Sequence, residues 1–460
     1  MARTSSSRSE RAGFSCTECG WTAPKWVGRC GECQTWGTVV EVGAPHAGPA
    51  TKATTVRGKA LPIGDISVEA VRHVPTGVGE LDRVLGGGFV PGAVVLLAGE
   101  PGVGKSTLLL DVAGRSARAG HRVLYITGEE SAGQVRLRAD RIGASEPDVL
   151  LAAETDLGAV LAHIDEVQPA FLLVDSIQTI SSTQVEGTPG GVSQVREVAA
   201  SLVQAAKNAG IPTVIVGHVT KEGSIAGPRI VEHLVDVVCT FEGEQHSTFR
   251  ILRAVKNRFG AVDEVGCFQL TDTGIVEVAD PSGVFLTGIE RTVPGTCATI
   301  TVDGKRPLPA EVQALVSPSA LASPRRATSG IDSSRVAMII AVLHRRAGVV
   351  VGDNDVYVST VGGARVTEPA ADLSLALALA SARKDVAVRT GVVACGEVAL
   401  SGEIRPVHGT TQRIAEAARL GFTDVILPHA SVPSSPEGVR LHPVAHLRDA
   451  IPIALEKTGA

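Results

Sequence analysis

The fold is decided by residues 94–107, which read VVLLAGEPGVGKST. Residues 94–98 are apolar and partly β-branched, as in a buried strand, and the apolar residues that follow Thr107 are typical of the start of a helix. Between these elements, residues 99–106 fit the pattern G-x-x-x-x-G-K-[ST]. Because strand, spacing, Lys-Ser pair and helix all agree, the stretch predicts a phosphate-binding loop rather than a chance glycine turn.

The residue types of this loop explain how it would hold ATP and Mg²⁺. Glycines let backbone N–H groups converge on phosphate oxygens, and the amino terminus of the following helix adds a partial positive charge. The Lys105 ammonium can reach the β- and γ-phosphates, and the Ser106 hydroxyl can join the Mg²⁺ shell. The predicted nucleotide-binding residues of the loop are Gly99, Glu100, Pro101, Gly102, Val103, Gly104, Lys105, Ser106 and Thr107.

The composition bounds the architecture and the location. A chain of 460 residues suggests two or three domains, and a hydrophobic content of 44% is enough for large cores. With a net charge of −5, any DNA contact must come from a local basic surface. The polar N-terminus lacks the apolar region of a secretory signal, and no run of about 18 apolar residues is present. We expect a cytoplasmic protein with no membrane partner.

Four of the eight cysteines form two C-x-x-C pairs near the N-terminus, ten residues apart, and the other four are scattered. This is not a disulfide framework, and it indicates a reducing compartment. Two such pairs suit tetrahedral Zn²⁺, whereas a redox pair would need a βαβ context that is absent here. We expect Trp21, Trp26 and Trp36 to cover the small core. The predicted zinc ligands are Cys16, Cys19, Cys30 and Cys33.

Acidic residues follow two further apolar segments. Residues 122–127 (RVLYIT) lead to Glu129 and Glu130, and residues 170–174 lead to Asp175. Carboxylates at the carboxyl end of a strand lie at the ligand edge of an open α/β sheet. Asp175 is therefore predicted to hold Mg²⁺ through water, and Glu129, in preference to Glu130, to activate the attacking water. The alternative for this pair is a helix-capping acid before the segment that follows Ser131.

Two segments near this edge read as mobile loops, and a third segment is basic. The polar, glycine-rich residues 178–194 form the first predicted loop, and residues 220–229 form the second. Between them, His218 could sense the γ-phosphate or merely stabilise a loop, and the residue types do not decide between these roles. Residues 256–260 read KNRFG and are either a solvated hairpin tip or a finger that assists phosphoryl transfer.

The four-cysteine pattern, GEPGVGKST, VDSIQT and KNRFG stand in this order along the chain, and together they closely resemble the RadA (Sms) family of bacterial DNA repair proteins. The resemblance implies a RecA-like ATPase core, related to DnaB-type helicases. It further implies hexameric rings that act on single-stranded and branched DNA, drive branch migration and work with the recombinase RecA. Segments 178–194 and 220–229 would face DNA. Lys256 and Arg258 would act as catalytic residues at a neighbouring subunit's nucleotide, or would couple nucleotide to DNA.

The C-terminal third resembles the proteolytic domain of Lon through GGARVTEPAADL at 362–373 and GEVALSGEIRPV at 396–407. Lon requires a Ser–Lys dyad, but the aligned positions carry Ala370 and Thr411. The fold is therefore expected without proteolysis, as a platform that forms rings and could also bind double-stranded DNA. Local positive charge, with ordinary solvated surface as the alternative, comes from Lys305, Arg306, Arg325, Arg326, Arg345 and Arg346.

These observations predict an α/β protein with a RecA-like P-loop core, a small four-Cys zinc module and a Lon-protease-like α/β domain. The expected function is a DNA-dependent ATPase motor in recombinational repair; the rivals are a Lon-type protease and a nucleotide switch that does not move DNA. The expected organisation is disorder over 1–13, a zinc finger over 14–41, a linker over 42–60, the ATPase domain over 61–285 and the inactive Lon-like domain over 286–460.

Overall fold

A computed structural model describes residues 13–42, 61–65, 72–218, 230–243, 247–287, 293–321, 323–430 and 432–455. The chain divides into two compact units, one ending at Ser67 and one beginning at Val68. Most of the segment predicted to be disordered, the linker and the loop at 220–229 lie outside the described residues; Gly13, however, begins a strand. No helix in the described ranges is both long and apolar enough to cross a membrane.

The N-terminal unit contains a three-stranded antiparallel sheet with the order β2-β1-β3. Its strands are β1 (Gly13–Cys16), β2 (Thr22–Ala23) and β3 (Val39–Val42). Trp21 packs so closely on Gly31 that a Cβ there would lie 2.6 Å from the indole. The prediction for the other two tryptophans is wrong: Trp26 is 64% and Trp36 73% exposed. A module this small has too little interior to bury three indoles.

The second unit begins with a nine-stranded sheet in the order β12-β11-β10-β9-β4-β8-β7-β5-β6. Strands β4 to β9 pair in parallel, and β10 to β12 add an antiparallel extension. The strands are β4 (Val94–Gly99), β5 (Val123–Thr127), β6 (Val149–Ala153), β7 (Phe171–Asp175), β8 (Thr213–His218), β9 (Val237–Glu242), β10 (Phe249–Asn257), β11 (Val265–Thr271) and β12 (Gly274–Glu277).

Helices cover both faces of this sheet, so β4 is buried along its whole length and is apolar throughout. Val95 and Leu97 point into a core shared with the first two helices, whereas Val94 and Leu96 point into a core shared with the fourth and fifth. The helices are α1 (Gly79–Leu85), α2 (Lys105–Arg118), α3 (Ala132–Ile142), α4 (Leu157–Val167), α5 (Val192–Ala209) and α6 (Ile230–Leu234).

The first predicted loop differs from the structure at its C-terminal end, because α5 already begins at Val192. The side chain of Gln194 is buried and accepts a 2.8 Å hydrogen bond from the Ser182 N–H, and its amide donates to the Ser182 carbonyl at 3.0 Å. The end of the segment is thereby fastened to its beginning. Residues 183–191 contain no helix or strand.

A seven-stranded sheet in the order β15-β16-β14-β13-β17-β20-β21 follows, with a separate β18-β19 pair. Helix α9 lies in its core and is apolar along most of its length. The strands are β13 (Thr296–Asp303), β14 (Arg306–Pro318), β15 (Arg326–Ser329), β16 (Asn354–Thr360), β17 (Val392–Ala394), β18 (Glu397–Val398), β19 (Ile404–Arg405), β20 (Asp424–Pro428) and β21 (Arg440–Val444). The helices are α7 (Ser282–Phe285), α8 (Ser333–Ala347), α9 (Asp372–Lys384), α10 (Thr410–Arg419) and α11 (Leu447–Leu455).

The turn between β13 and β14 joins the two large sheets. Arg306 is 8% exposed, forms an ion pair with Glu80 of α1, and donates a 2.9 Å hydrogen bond to the Val265 carbonyl. The expectation that Arg306 offers surface charge is therefore wrong, because its guanidinium is buried and is bound to Glu80 and the Val265 carbonyl. Neighbouring Lys305 remains at the surface and pairs with Asp263 at 3.1 Å.

Candidate nucleotide site and metal site

The phosphate-binding loop connects the carboxyl end of β4 to the amino end of α2. Gly102 and Gly104 adopt positive φ angles of 80° and 109°, which favour glycine. No side chain caps α2, so its first N–H groups remain available to an anion. Ser106 and Thr107 lie half-buried in the first turn of the helix. The loop therefore has the backbone geometry that a phosphate group requires.

Lys105 lies at the centre of the loop and is only 4% exposed. Its ammonium donates hydrogen bonds to the carbonyls of Gly99 at 2.7 Å and Glu100 at 2.9 Å. Burial lowers the pKa of Lys105, and the carboxylates of Asp175, Glu129 and Glu100 oppose this shift. The structure thus brings the predicted phosphate-binding lysine together with the two acids predicted at neighbouring strand ends.

Glu129 and Glu130 occupy different surroundings. Glu129 Oε1 accepts hydrogen bonds from Ser176 Oγ and, at 2.7 Å, from His218 Nε2. The hydrogen bond from His218 is the main cause that holds the pKa of Glu129 below its ordinary value. Glu130 instead accepts a 2.6 Å hydrogen bond from Arg138. Of these two acids, only Glu129 belongs to the cluster around Lys105, and its role as the base stays a prediction.

His218 ends β8, beside β4, and links two of these groups. Its Nδ1 lies 3.4 Å from the Lys105 ammonium, while Nε2 contacts Glu129. Sequence reasoning left its role open and missed Ser176 as a partner of Glu129. The sequence signal that could have identified Ser176 is its position immediately after Asp175. From this position His218 could respond to a group in the phosphate site. Both roles, sensing the γ-phosphate and stabilising a loop, are compatible with these contacts.

Asp175 ends β7 and is 7% exposed. It lies directly across from Thr127 in the β5–β7 register, so the acids that follow β5 and β7 share one edge of the sheet. Carboxylate oxygen is a preferred Mg²⁺ ligand, and this one faces the same cluster as Lys105. The donor set therefore fits Mg²⁺ bound to nucleotide phosphates, with Asp175 and Ser106 as the protein groups that would hold it.

Lys256 and Arg258 lie at the opposite edge of the sheet. Strand β10 runs antiparallel to β9, so Asn257 pairs with Val237 near the amino end of β4. The length of β4 separates this edge from the phosphate loop by roughly 16 Å. The structure does not bring these two predicted catalytic residues to the site of their own chain.

Only part of the KNRFG segment fits the interpretation as a solvated hairpin tip. The Lys256 ammonium donates hydrogen bonds to the carbonyls of Glu232 at 2.7 Å and Val235 at 2.6 Å, at the end of α6. Arg258 is more exposed and pairs with the buried Asp236 at 3.1 Å. Lys256 is thus fastened to the segment that follows residues 219–229, where the second predicted loop lies outside the described residues.

The four N-terminal cysteines meet in the first unit. Their sulfur atoms all lie within 4.8 Å of one another, with Cys16 and Cys33 3.6 Å apart and Cys19 and Cys30 3.5 Å apart. The hydrogen bond with Thr38 is the main cause that lowers the pKa of Cys16 to about 6. Despite the backbone hydrogen bond from Trp21, burial and the other cysteines raise the pKa of Cys19 to about 12, so metal binding would displace a proton there. Thiolate is the form that binds metal. Four sulfur donors at these distances fit tetrahedral Zn²⁺ without rearrangement of the chain.

The Lon-like half offers no proteolytic dyad at the aligned positions. Ala370 is 2% exposed and Thr411 lies in the first turn of α10. The nearby basic group is also engaged: Arg413 is 1% exposed and donates two 2.7 Å hydrogen bonds to the Glu368 carboxylate. A guanidinium held in this way cannot serve as a base, and a methyl group cannot serve as a nucleophile.

Fold and sites together define a P-loop ATPase that carries a four-cysteine zinc module and a Lon-like domain. Three family models agree: an AAA domain matches residues 71–224, a rubredoxin metal binding domain matches 14–41, and the Lon protease C-terminal proteolytic domain matches 339–457. The chain belongs to the RadA family of DNA repair proteins. The DNA repair protein RadA of Mycolicibacterium smegmatis is 55% identical over 96% of both chains.

Further relatives extend the same match. RadA of Mycobacterium tuberculosis is 53% identical over 93% of this chain and 90% of its own, and RadA of Bacillus subtilis is 44% identical over 99% and 100%. Among solved structures, a KaiC-like protein from Pyrococcus horikoshii is 23% identical, covers 45% of this chain and 99% of its own, and has a TM-score of 0.38. By its family and its domains, the chain is a DNA repair protein with an ATPase domain, and its cofactors are ATP, Mg²⁺ and Zn²⁺.

Proposed function

We propose that the protein is an ATP-driven motor on DNA that promotes branch migration in recombinational repair. The observation that carries the proposal is the placement of KNRFG and the phosphate loop at opposite edges of one sheet. Lys256 and Arg258 cannot reach the nucleotide of their own chain, but in a ring they can face the nucleotide of a neighbour. Such an arrangement ties hydrolysis at one subunit to the position of the next.

Each residue of the site has a proposed task. Lys105 binds the β- and γ-phosphates, Ser106 and Asp175 hold Mg²⁺, and Glu129 orients and deprotonates the attacking water. His218 keeps Glu129 ionised and lies close enough to Lys105 to change position when the γ-phosphate leaves. Because His218 is followed directly by residues 219–229, its movement would be passed to the segment proposed to face DNA.

The oligomer and the partners are part of the same proposal. We propose a homo-hexamer that encloses single-stranded DNA, acts on branched recombination intermediates and works with the recombinase RecA. The family relationship supports the DNA substrates, and the separation of Lys256 from its own phosphate loop supports a multi-subunit ring. Proteolysis is disfavoured because the dyad positions are Ala370 and Thr411.

The decisive measurement is ATP turnover by the full chain with and without single-stranded DNA, at one stated salt concentration, because DNA affinity depends on salt. We expect DNA to stimulate turnover, Lys105→Ala to abolish it, and the surface variant Lys384→Ala to retain it. Turnover that is indifferent to DNA at low salt would instead support a nucleotide switch. Casein digestion that depends on ATP would support the protease alternative.

A further inference from the structure

A buried tyrosine contacts the carboxylate of Asp175 from the neighbouring strand. Tyr125 is 1% exposed, and its hydroxyl donates a 2.8 Å hydrogen bond to Asp175 Oδ2. The contact follows from the sheet: β5 and β7 pair in parallel with Tyr125 opposite Leu173 and Thr127 opposite Asp175. The phenol is long enough to span the two residues of strand that separate its Cα from the carboxylate.

The chemistry of the pair makes Tyr125 the donor. A phenol carries a proton that it can donate at neutral pH, whereas an ionised carboxylate can only accept. A buried hydroxyl without an acceptor would cost free energy, and a buried carboxylate gains from each donor that it has. In the orientation that Asp175 has here, the hydroxyl and the carboxylate satisfy each other.

Two other charged side chains interact with the Tyr125 phenol. Arg138 and Glu130 form an ion pair at 2.6 Å, and the charges of both act on Tyr125. Glu130 is thereby part of the surroundings of Tyr125 rather than of the Lys105 cluster. Tyr125 interacts with this ion pair and also donates a hydrogen bond to the proposed Mg²⁺ ligand. A residue that contacts a metal ligand, and not the metal, is an outer-shell partner of the site.

We infer that Tyr125 is a positioning residue that holds the Asp175 carboxylate in the orientation needed for Mg²⁺–nucleotide binding. The inference rests on the proposed role of Asp175 as a Mg²⁺ ligand. It assigns to Tyr125 no contact with substrate. Outer-shell partners of metal ligands are worth about tenfold or more in metal affinity or activity when they are removed.

The test compares Tyr125→Phe with Tyr357→Phe in the full chain. These are the only two tyrosines, and Tyr357 lies on the partly exposed face of β16. The measurement is binding of a fluorescent ATP analogue as Mg²⁺ is titrated, with thermal melting recorded in parallel. We expect the half-saturating Mg²⁺ concentration to rise about tenfold in Tyr125→Phe and to stay unchanged in Tyr357→Phe, with binding in EDTA equal for all three proteins.

Asp175→Asn separates this inference from the function on which it rests. A raised Mg²⁺ requirement in Asp175→Asn together with an unchanged one in Tyr125→Phe overturns the positioning role alone. An unchanged requirement in both variants overturns the Mg²⁺ role of Asp175, and the role of Tyr125 with it. A loss of binding by Tyr125→Phe that is equal with Mg²⁺ and with EDTA also overturns the inference, since that pattern reports general damage.

A second measurement avoids removal of the hydroxyl. In a Tyr357→Phe background, biosynthetic incorporation of 3-fluorotyrosine labels Tyr125 alone, so one fluorine resonance reports on its hydroxyl. We expect this resonance to move when Mg²⁺ is added to the ADP-bound protein, because the metal draws charge from Asp175. A resonance that does not respond to Mg²⁺, in a sample whose ADP affinity does respond, overturns the inference.

Discussion

The ammonium nitrogen of Lys256 lies 2.6 Å from the carbonyl oxygen of Val235. This contact places a cation at the end of α6, where the last carbonyls of a helix carry a partial negative charge. The lysine is held far from its own phosphate loop and close to the segment that leads back to His218. Two roles are therefore open to it in a ring: contact with a neighbour's nucleotide, or control of the segment before α6.

Mixed rings distinguish these roles. Lys105→Ala and Lys256→Ala should each be inactive alone, since fingers supply roughly 10³- to 10⁵-fold in rate in well-studied NTPases. In a mixture, some interfaces join an intact phosphate loop to an intact Lys256 of the next subunit. We expect partial recovery of ATP turnover, measured after subunit exchange has been verified.

The matched control for this experiment mixes Lys105→Ala with Glu129→Gln. Both residues belong to the site of one chain, so no subunit of that mixed ring has a complete site and turnover should stay absent. Recovery in the control would mean that Glu129 acts across the boundary. A Lys256 mixture that stays inactive in verified mixed rings would contradict the trans role and leave control of α6 as the function of Lys256.

The pH dependence of turnover depends on the contact between His218 and Glu129. Because the pKa of Glu129 is held below its ordinary value, the base stays ionised as the pH falls through the range in which a free glutamate would protonate. Removal of the donor in His218→Ala should raise this pKa, so the acid limb of kcat should move to higher pH. The measurement is kcat against pH for both proteins.

The same shift makes a statement about stability. A carboxylate whose folded pKa is depressed stabilises the fold above its unfolded pKa, and this contribution is lost as the pH falls through the folded pKa. The His218→Ala protein should therefore show less loss of unfolding free energy on acidification than the wild type. His218→Gln retains a donor and should keep the acid limb near its original position; an unmoved limb in both variants would contradict the assigned base.

The zinc site should respond to the loss of one ligand. Metal analysis is expected to find about one zinc per chain, and Cys30→Ser should lose it and unfold the N-terminal module. The ATPase half should melt as before, because the zinc module belongs to a compact unit of its own. The control is Cys395→Ala, which changes a cysteine buried in the Lon-like half and should keep full zinc content. Full occupancy in Cys30→Ser would refute the four-sulfur site.

The Arg306–Glu80 ion pair should be a main source of stability between the two large sheets. Removal of Arg306 leaves the buried Glu80 carboxylate with only the exposed Arg83 at 3.5 Å, so Arg306→Ala should cost about 3 kcal/mol in free energy of unfolding. Adjacent Lys305→Ala breaks an exposed pair and should cost about 1 kcal/mol or less. Urea unfolding of the full chain measures both. An equal effect of the two substitutions would contradict the buried role of Arg306.

The parts that follow from local order could be predicted from the sequence. The phosphate loop, its strand and its helix are contiguous, and the two pairs of cysteines carry their own spacing. The partners of the site could not be predicted, because they are distant along the chain: 113 residues separate Lys105 from His218, and 50 separate Tyr125 from Asp175. Their meeting depends on strand order, which the residues themselves do not reveal.

The burial of charged residues could not be predicted from the sequence either. Arg306 and the exposed Lys305 look alike in sequence, yet one is buried and one is solvated, because only Arg306 reaches Glu80. The burial of two tryptophans was also predicted wrongly, because an apolar side chain is buried only where neighbouring residues cover it. Trp21 has such a neighbour in Gly31, whereas Trp26 and Trp36 extend to solvent.

The turn between β13 and β14 has a consequence for how the chain matures on the ribosome. Glu80 is synthesised 226 residues before Arg306, its buried ion-pair partner. Amino-terminal segments emerge first, so while these 226 residues are made the only ion-pair partner that Glu80 can have among the described residues is Arg83, at 3.5 Å. The buried ion pair of Glu80 can form only once the hairpin of β13 and β14 has been made. A chain that terminates before β14 therefore lacks the buried cation that Glu80 has in the folded protein.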